Sequence, residues 1–139
     1  MRRTIDRGRV RSVAATIACA GLAAGCNGGT VDRHAALRDG ETLDSVACEG
    51  AVVADGVVRG RTWSPYVEVQ ADALRRQASN LADALGRREV APGLEAHVRA
   101  EARRAARQAE QLRRLRDHAG DRRVAAGVVR ALRRLGDCS

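Results

Sequence analysis

Apolar residues recur along the second half of the chain with the spacing of helical turns. Val67, Ala71, Leu74, Ala78, Leu81 and Leu85 follow one another at intervals of four and three, one stripe down a single helix face. Ser64-Pro65 reads as its start, a hydroxyl N-cap with proline at the first helical position, and Gly86 as its stop. Pro92 opens a second helix with the stripe Leu94, Val98, Ala102, Ala105, Ala109, Leu112, Leu115 and Ala119, closed by Gly120. Asp121 caps a third, with Val124, Val128, Leu132 and Leu135 on one face and Gly136 at its end. The links are short, so consecutive helices run antiparallel as neighbours. Alanine fills the middle of both long stripes. Such helices approach closely, but an alanine methyl is worth about 0.8 kcal/mol on burial against roughly 1.5–3 kcal/mol for a leucine.

Upstream the pattern changes. Thr42 to Cys48 reads as a short helix. Ala51–Ala54 and Val57–Gly60 are two runs rich in valine on either side of Asp55-Gly56, the dipeptide of a tight β-hairpin. Trp63 and Tyr66, at the junction with the first long helix, are expected to clamp the hairpin to the bundle. Asp44, Glu49 and Asp55 read as acids that keep this segment soluble. Residues 26–41, beginning Cys26-Asn27-Gly28-Gly29, read as a flexible tether with at most one frayed helical turn. The expected fold is therefore mostly α: a small antiparallel three-helix bundle over 64–139, preceded by a short β-hairpin within 42–63 and a flexible N-terminal tether.

The first 25 residues have a different character. Arg2, Arg3, Arg7, Arg9 and Arg11 precede thirteen uncharged residues, Val13 to Gly25. That run is too short for a membrane span of about 20 residues and has the layout of a secretory signal peptide. It ends in Leu22-Ala23-Ala24-Gly25-Cys26, which resembles the lipobox of bacterial lipoproteins, with Ala23 where that family prefers leucine. The resemblance covers residues 1–26 only. It implies cleavage before Cys26, a diacylglycerol (with palmitate-like acyl chains) on its thiol, and a lipid-anchored protein on the extracytoplasmic face of the cell membrane. Two acyl chains hold a protein stably where one is marginal.

The cysteines follow from that assignment. Cys19 leaves with the signal and Cys26 carries lipid, so Cys48 and Cys138 remain as an even pair in an oxidising compartment. A disulfide between them is the natural reading, with two buried free thiols as the alternative.

Composition narrows the chemistry. The 139 residues carry a formal charge of +8, and every basic residue is arginine. Without lysine there is neither a Schiff base nor a Walker-type phosphate site. One Trp, one Tyr and no Phe leave no stacking platform for single-stranded nucleic acid. His34, His97 and His118 read as surface or rim residues, Ser64 as a cap, and no metal-ligand spacing is present. No catalytic residue, metal or other cofactor is expected. Charge is uneven: residues 91–139 contain twelve arginines and six acids. Arg99, Arg103 and Arg107 recur every fourth residue on one helix face, and Arg113 and Arg114 follow. Glu95–Arg99, Glu101–Arg104 and Glu110–Arg114 are expected to neutralise part of that surface. The reading is a membrane-anchored envelope lipoprotein with a non-catalytic interaction domain. Its partners would be the membrane, an anionic envelope polymer or an acidic protein, and not nucleic acid. An arginine-rich DNA-binding protein and a small envelope enzyme are the rival readings.

Overall fold

The computed structural model describes residues 30–138. Cys26 and the basic leader lie outside them. Among these described residues there are four helices: α1 (Arg33–Val58), α2 (Ser64–Arg87), α3 (Glu95–Asp117) and α4 (Arg122–Leu135).

The three helices read from residue 64 onward are present. Their ends differ by a few residues. Trp63 rather than Ser64 is the N-cap of α2, and Gly86 lies inside its last turn. α3 starts at Glu95, because Pro92 belongs to a turn that needs Gly93 at φ +91°, and the Glu95 carboxylate accepts from the Gly93 N–H at 2.9 Å. Asp121 caps α4 as expected, accepting from the N–H groups of Arg123 and Val124 at 2.8 and 3.0 Å. Those backbone hydrogen bonds, Val124 first, hold its carboxyl below the usual range.

The hairpin and the tether are corrected. α1 runs unbroken for 26 residues through the segment read as a hairpin and through residues 33–41 of the tether, whose residues 26–29 lie outside the described ones, so the bundle has four helices rather than three. Its buried positions Leu43, Val46, Ala47, Ala51, Ala54 and Val57 keep a helical period across the segment read as two strands. A tight hairpin turn at Asp55-Gly56 would need positive φ at both residues. Among the described residues only Gly60 and Gly93 have it. The glycine that turns the chain is Gly60, at φ +66°. Its N–H donates to the Val57 carbonyl at 3.0 Å, and the Arg61 N–H to that of Gly56 at 2.8 Å, a Schellman cap.

The start of α1 is equally fixed. Asp32 caps it, accepting from the Ala35 N–H at 2.7 Å. Val31 is buried and bridges Val90 in the α2–α3 link, with the Val31 N–H donating to the Glu89 carbonyl at 2.7 Å and the Ala91 N–H to that of Val31 at 3.1 Å. Arg88 then pairs with Asp39 at 3.1 Å.

Consecutive helices run antiparallel. α1 touches all three others, and α2 and α3 share the broadest contact. Ala71, Ala78 and Ala105 are fully buried there, so small residues do allow close approach. Asp72 on α2 spans the pair, accepting from Arg75 and from Arg116 of α3; these bonds, Arg75 first, hold its carboxyl below the usual range. α4 has 14 residues against 26 in α1, so the bundle is four-helical at one end and three-helical at the other. The main core, with Val46, Val67, Leu74, Leu112, Leu115 and Leu132, fills the four-helix end. A smaller cluster of Val31, Ala36, Leu85 and Val98 closes the other.

Two glycines of α1 respond oppositely to substitution. A Cβ on Gly50 would lie 2.7 Å from a Leu112 methyl and 2.9 Å from one of Leu132, both in the filled core, whereas one on Gly40 meets nothing within 4 Å. Gly50→Val is expected to destabilise the fold by about 1–3 kcal/mol through overpacking. Gly40→Ala is expected to stabilise it by about 0.5–1 kcal/mol through helix propensity. Urea melts check both; a Gly40→Ala midpoint equal to the parent's would argue against helix at residue 40.

Candidate functional site on the outer face of α3 and α4

α3 sorts its residues cleanly. Val98, Ala105, Gln108, Leu112 and Leu115 face the core. Arg99, Arg103, Arg107 and Arg114 are exposed and form no ion pair with any described residue. Arg113, the remaining sequence candidate, differs. It holds Glu110 at 2.7 Å and Asp117 at 3.1 Å. Its hydrogen bond is the main reason the Glu110 carboxyl lies below its usual range.

Two of the three expected neutralising pairs are therefore corrected. Glu110 is taken by Arg113 one residue earlier than Arg114, and Glu95 is occupied by the Gly93 N–H, leaving Arg99 alone. Glu101–Arg104 forms, at 3.1 Å. α4 adds Arg130, Arg133 and Arg134, all exposed.

Gln108 was not singled out by the sequence reading, and Arg104 was read only as the partner of Glu101; together they organise the end of α4. The last helical carbonyl, that of Leu135, accepts from Arg104 Nε at 2.5 Å and from Gln108 Nε2 at 3.4 Å. Gln108 Nε2 also donates to the Leu43 carbonyl at 3.0 Å. Arg104 further pairs with Asp44, whose Oδ1 accepts from the Asp137 N–H at 3.0 Å. α1, α3 and the end of α4 are thus tied by one polar cluster. The available signal was the position of Gln108, three residues after Ala105 and four before Leu112; the stripe reading took the half-buried Ala109 instead.

Cys48 and Cys138 meet beside this cluster, with sulfurs bonded at 2.14 Å and Cα atoms 5.3 Å apart. The Cα separation lies in the usual disulfide range.

The junction aromatics do not clamp anything. Trp63 is 70% exposed and Tyr66 42%, and the hairpin they were to hold is part of α1. His34, His97 and His118 are exposed. Among the described residues no three His, Cys, Asp or Glu side chains gather as a metal site, and no helix is long and apolar enough to cross a membrane. These residues make a charged, partly grooved surface on a rigid support.

Compared with family models, curated proteins and solved structures, the chain shows no significant similarity to any.

The bond between Cys48 and Cys138 closes a loop across a sequence separation of 90. Replacing both by serine is expected to lower stability by about 3–5 kcal/mol. Chemical melts of the oxidised parent, the reduced parent and the double variant check this; an oxidised parent no more stable than the variant would show that the bond does not support the fold.

Proposed function

We propose that this chain is a small lipid-anchored protein of the cell envelope whose helical domain performs no catalysis. In this reading it holds anionic surfaces through the arginines of α3 and α4. The observation that carries the reading is the row Arg99, Arg103, Arg107: exposed, evenly spaced and free of ion pairs with described residues, on the helix whose other arginines are mostly engaged. Arg114 extends the row, while Arg113 supports it only by occupying Glu110.

The reach of the chain from Cys26 supports this reading. Val31, five residues after Cys26, packs in the same cluster as Val98, the neighbour of Arg99. Five residues span at most about 18 Å, so a lipid on Cys26 would keep this end of the bundle close to the bilayer. Arg99 would then be nearest the head groups, with Arg103 and Arg107 each one turn further out. An anionic envelope polymer or an acidic protein would use the same charges. Arginine suits all three, since its planar fork binds phosphate and carboxylate in bidentate fashion.

Two experiments test the proposal. Labelling cells with a radioactive fatty acid is expected to mark the parent and not Cys26→Ser; an unlabelled parent would remove the anchor. Co-sedimentation of residues 30–139, which contain every core contact described here, is expected to show binding to anionic vesicles and none to neutral ones. The triple change Arg99→Gln, Arg103→Gln, Arg107→Gln is expected to lose up to about 3 kcal/mol of that binding, at about 1 kcal/mol per arginine. Raising salt from about 0.1 to 1 M should abolish it, as the screening length falls from about 10 to 3 Å. Equal binding to neutral vesicles would sink the electrostatic reading.

A further inference from the structure

Alanine on the outer edges of α3 and α4 leaves a groove between the two helices. Ala106, Ala131 and Leu135 form its apolar floor, and its volume is about 420 Å³. That size falls within the range of small-molecule sites. Arg107 stands on the α3 bank and Arg134 on the α4 bank. Glu110, the one acid in the lining, is already held by Arg113 at 2.7 Å. Gln111 also lines the groove, and its buried Oε1 has no hydrogen-bond partner among the described residues.

A second, more polar hollow adjoins the first and shares Arg107, Arg134 and Leu135 with it. Arg104, Asp44, Gly136 and Asp137 complete its wall. Within this lining Arg104 pairs with Asp44, and it also holds Glu101, which lies outside the lining. Asp137 is the remaining acid, against two free arginines. An apolar trough thus opens directly into a polar mouth with a net positive edge.

We infer that this groove binds a single-chain anionic amphiphile, a long-chain carboxylate, with its alkyl tail along Ala106, Ala131 and Leu135 and its head between Arg107 and Arg134. The tail gains by leaving water, at roughly 0.8 kcal/mol per buried CH₂. The head gains charge-assisted hydrogen bonds from two guanidinium groups that have no carboxylate of their own among the described residues. Neither part suffices by itself. A neutral detergent lacks the head contact, and a short acid lacks the tail. The amide of Gln111, unpaired at Oε1, is free to turn its NH₂ donors toward the head. This goes beyond the flat arginine surface proposed above, because it defines a stoichiometric site for one molecule and needs neither the lipid on Cys26 nor a bilayer.

Laurate below its micelle threshold is the probe, titrated calorimetrically into residues 30–139 and followed by amide chemical shifts. One molecule per chain is expected, with shifts at residues 106–111 and 131–135. Hexanoate, dodecyl maltoside and dodecyltrimethylammonium are expected to bind at least about ten-fold more weakly, since each lacks one of the two contacts. Arg134→Gln should weaken laurate about five-fold or more, as loss of a charge-assisted contact does. Ala131→Leu should fill the trough and abolish binding. Its lining is partly exposed, so the fold is expected to survive, which helix content by circular dichroism verifies.

Arg99→Gln with Arg103→Gln should leave laurate binding unchanged while weakening vesicle binding. The two proposals can therefore fail separately. Equal affinity for the cationic amphiphile, insensitivity to Ala131→Leu, or no binding of laurate would each overturn the inference. So would a dimer that Ala131→Leu dissociates, since the groove would then belong to a second copy of the chain.

Discussion

The end of α4 is the point on which the rest of the molecule depends. A helix of 14 residues is marginal by itself in water, and its last carbonyls have no partner within the helix. Here the Leu135 carbonyl is taken by Arg104 and Gln108 of α3, and the next residues are tied to α1 by Asp44 and by Cys48. Without those ties α4 would still have an apolar stripe to bury, through Ala125, Val128 and Leu132, but nothing would fix its register along α1 and α3. Register matters because a helix shifted by one turn, about 5.4 Å, would move Arg134 away from Arg107 and erase the groove between them. Gln108 shows the cost of this arrangement. It is fully buried and its Oε1 has no partner among the described residues, so the core carries an uncompensated polar atom in order to hold two carbonyls.

Helices α2, α3 and α4 were legible in the sequence because their stripes are regular and their starts and stops stand close to Pro, Asp and Gly. α1 was not. Valine pairs around Asp55-Gly56 satisfy the local rule for a hairpin, and Gly40, Gly50 and Gly56 lower helix propensity along its length. What overrides propensity is packing. Gly50 lets Leu112 and Leu132 close against the α1 backbone, nearer than any side chain would allow. That reason lies in residues 62 and 82 positions further along the chain, where no local pattern can show it. The cap that ends α1 depends on Gly60 instead, read earlier as the end of a strand.

The candidate site was half legible for a similar reason. A spacing of four placed Arg99, Arg103 and Arg107 on one face, and they are there. Which arginines are free is a different question, since sequence spacing offers Glu110 to Arg113 and to Arg114 alike. Asp117 decides it, one turn beyond Arg113, by making Arg113 the residue that can hold two carboxylates at once. Likewise Arg116 spans to Asp72 on α2 at 3.1 Å, a partner 44 residues away that no helical periodicity would pair with it. Surface pairs of this kind contribute little to stability, typically 0–1 kcal/mol each. Their effect here is selective: they use up Glu101, Glu110 and Asp117 of α3 and leave a contiguous set of arginines uncompensated.

Small side chains link the weakness of this fold to what it offers. The same preference for alanine that brings α2 and α3 together also thins the contact between α3 and α4 at its outer edge. Leucine at residues 106 and 131 would bury more area and stabilise the bundle, but would fill the trough. A chain without phenylalanine has no large side chain to spend there, so stability must come from elsewhere. The cross-link between Cys48 and Cys138 and the cluster around Arg104 are placed where they supply it, at the open end of α4 and beside the polar mouth of the groove. A surface left under-packed between two helices is tolerable only if the helices cannot separate. In this molecule the restraints that prevent separation and the charges that would attract an anion sit within one turn of each other, Arg104 beside Arg107 on α3.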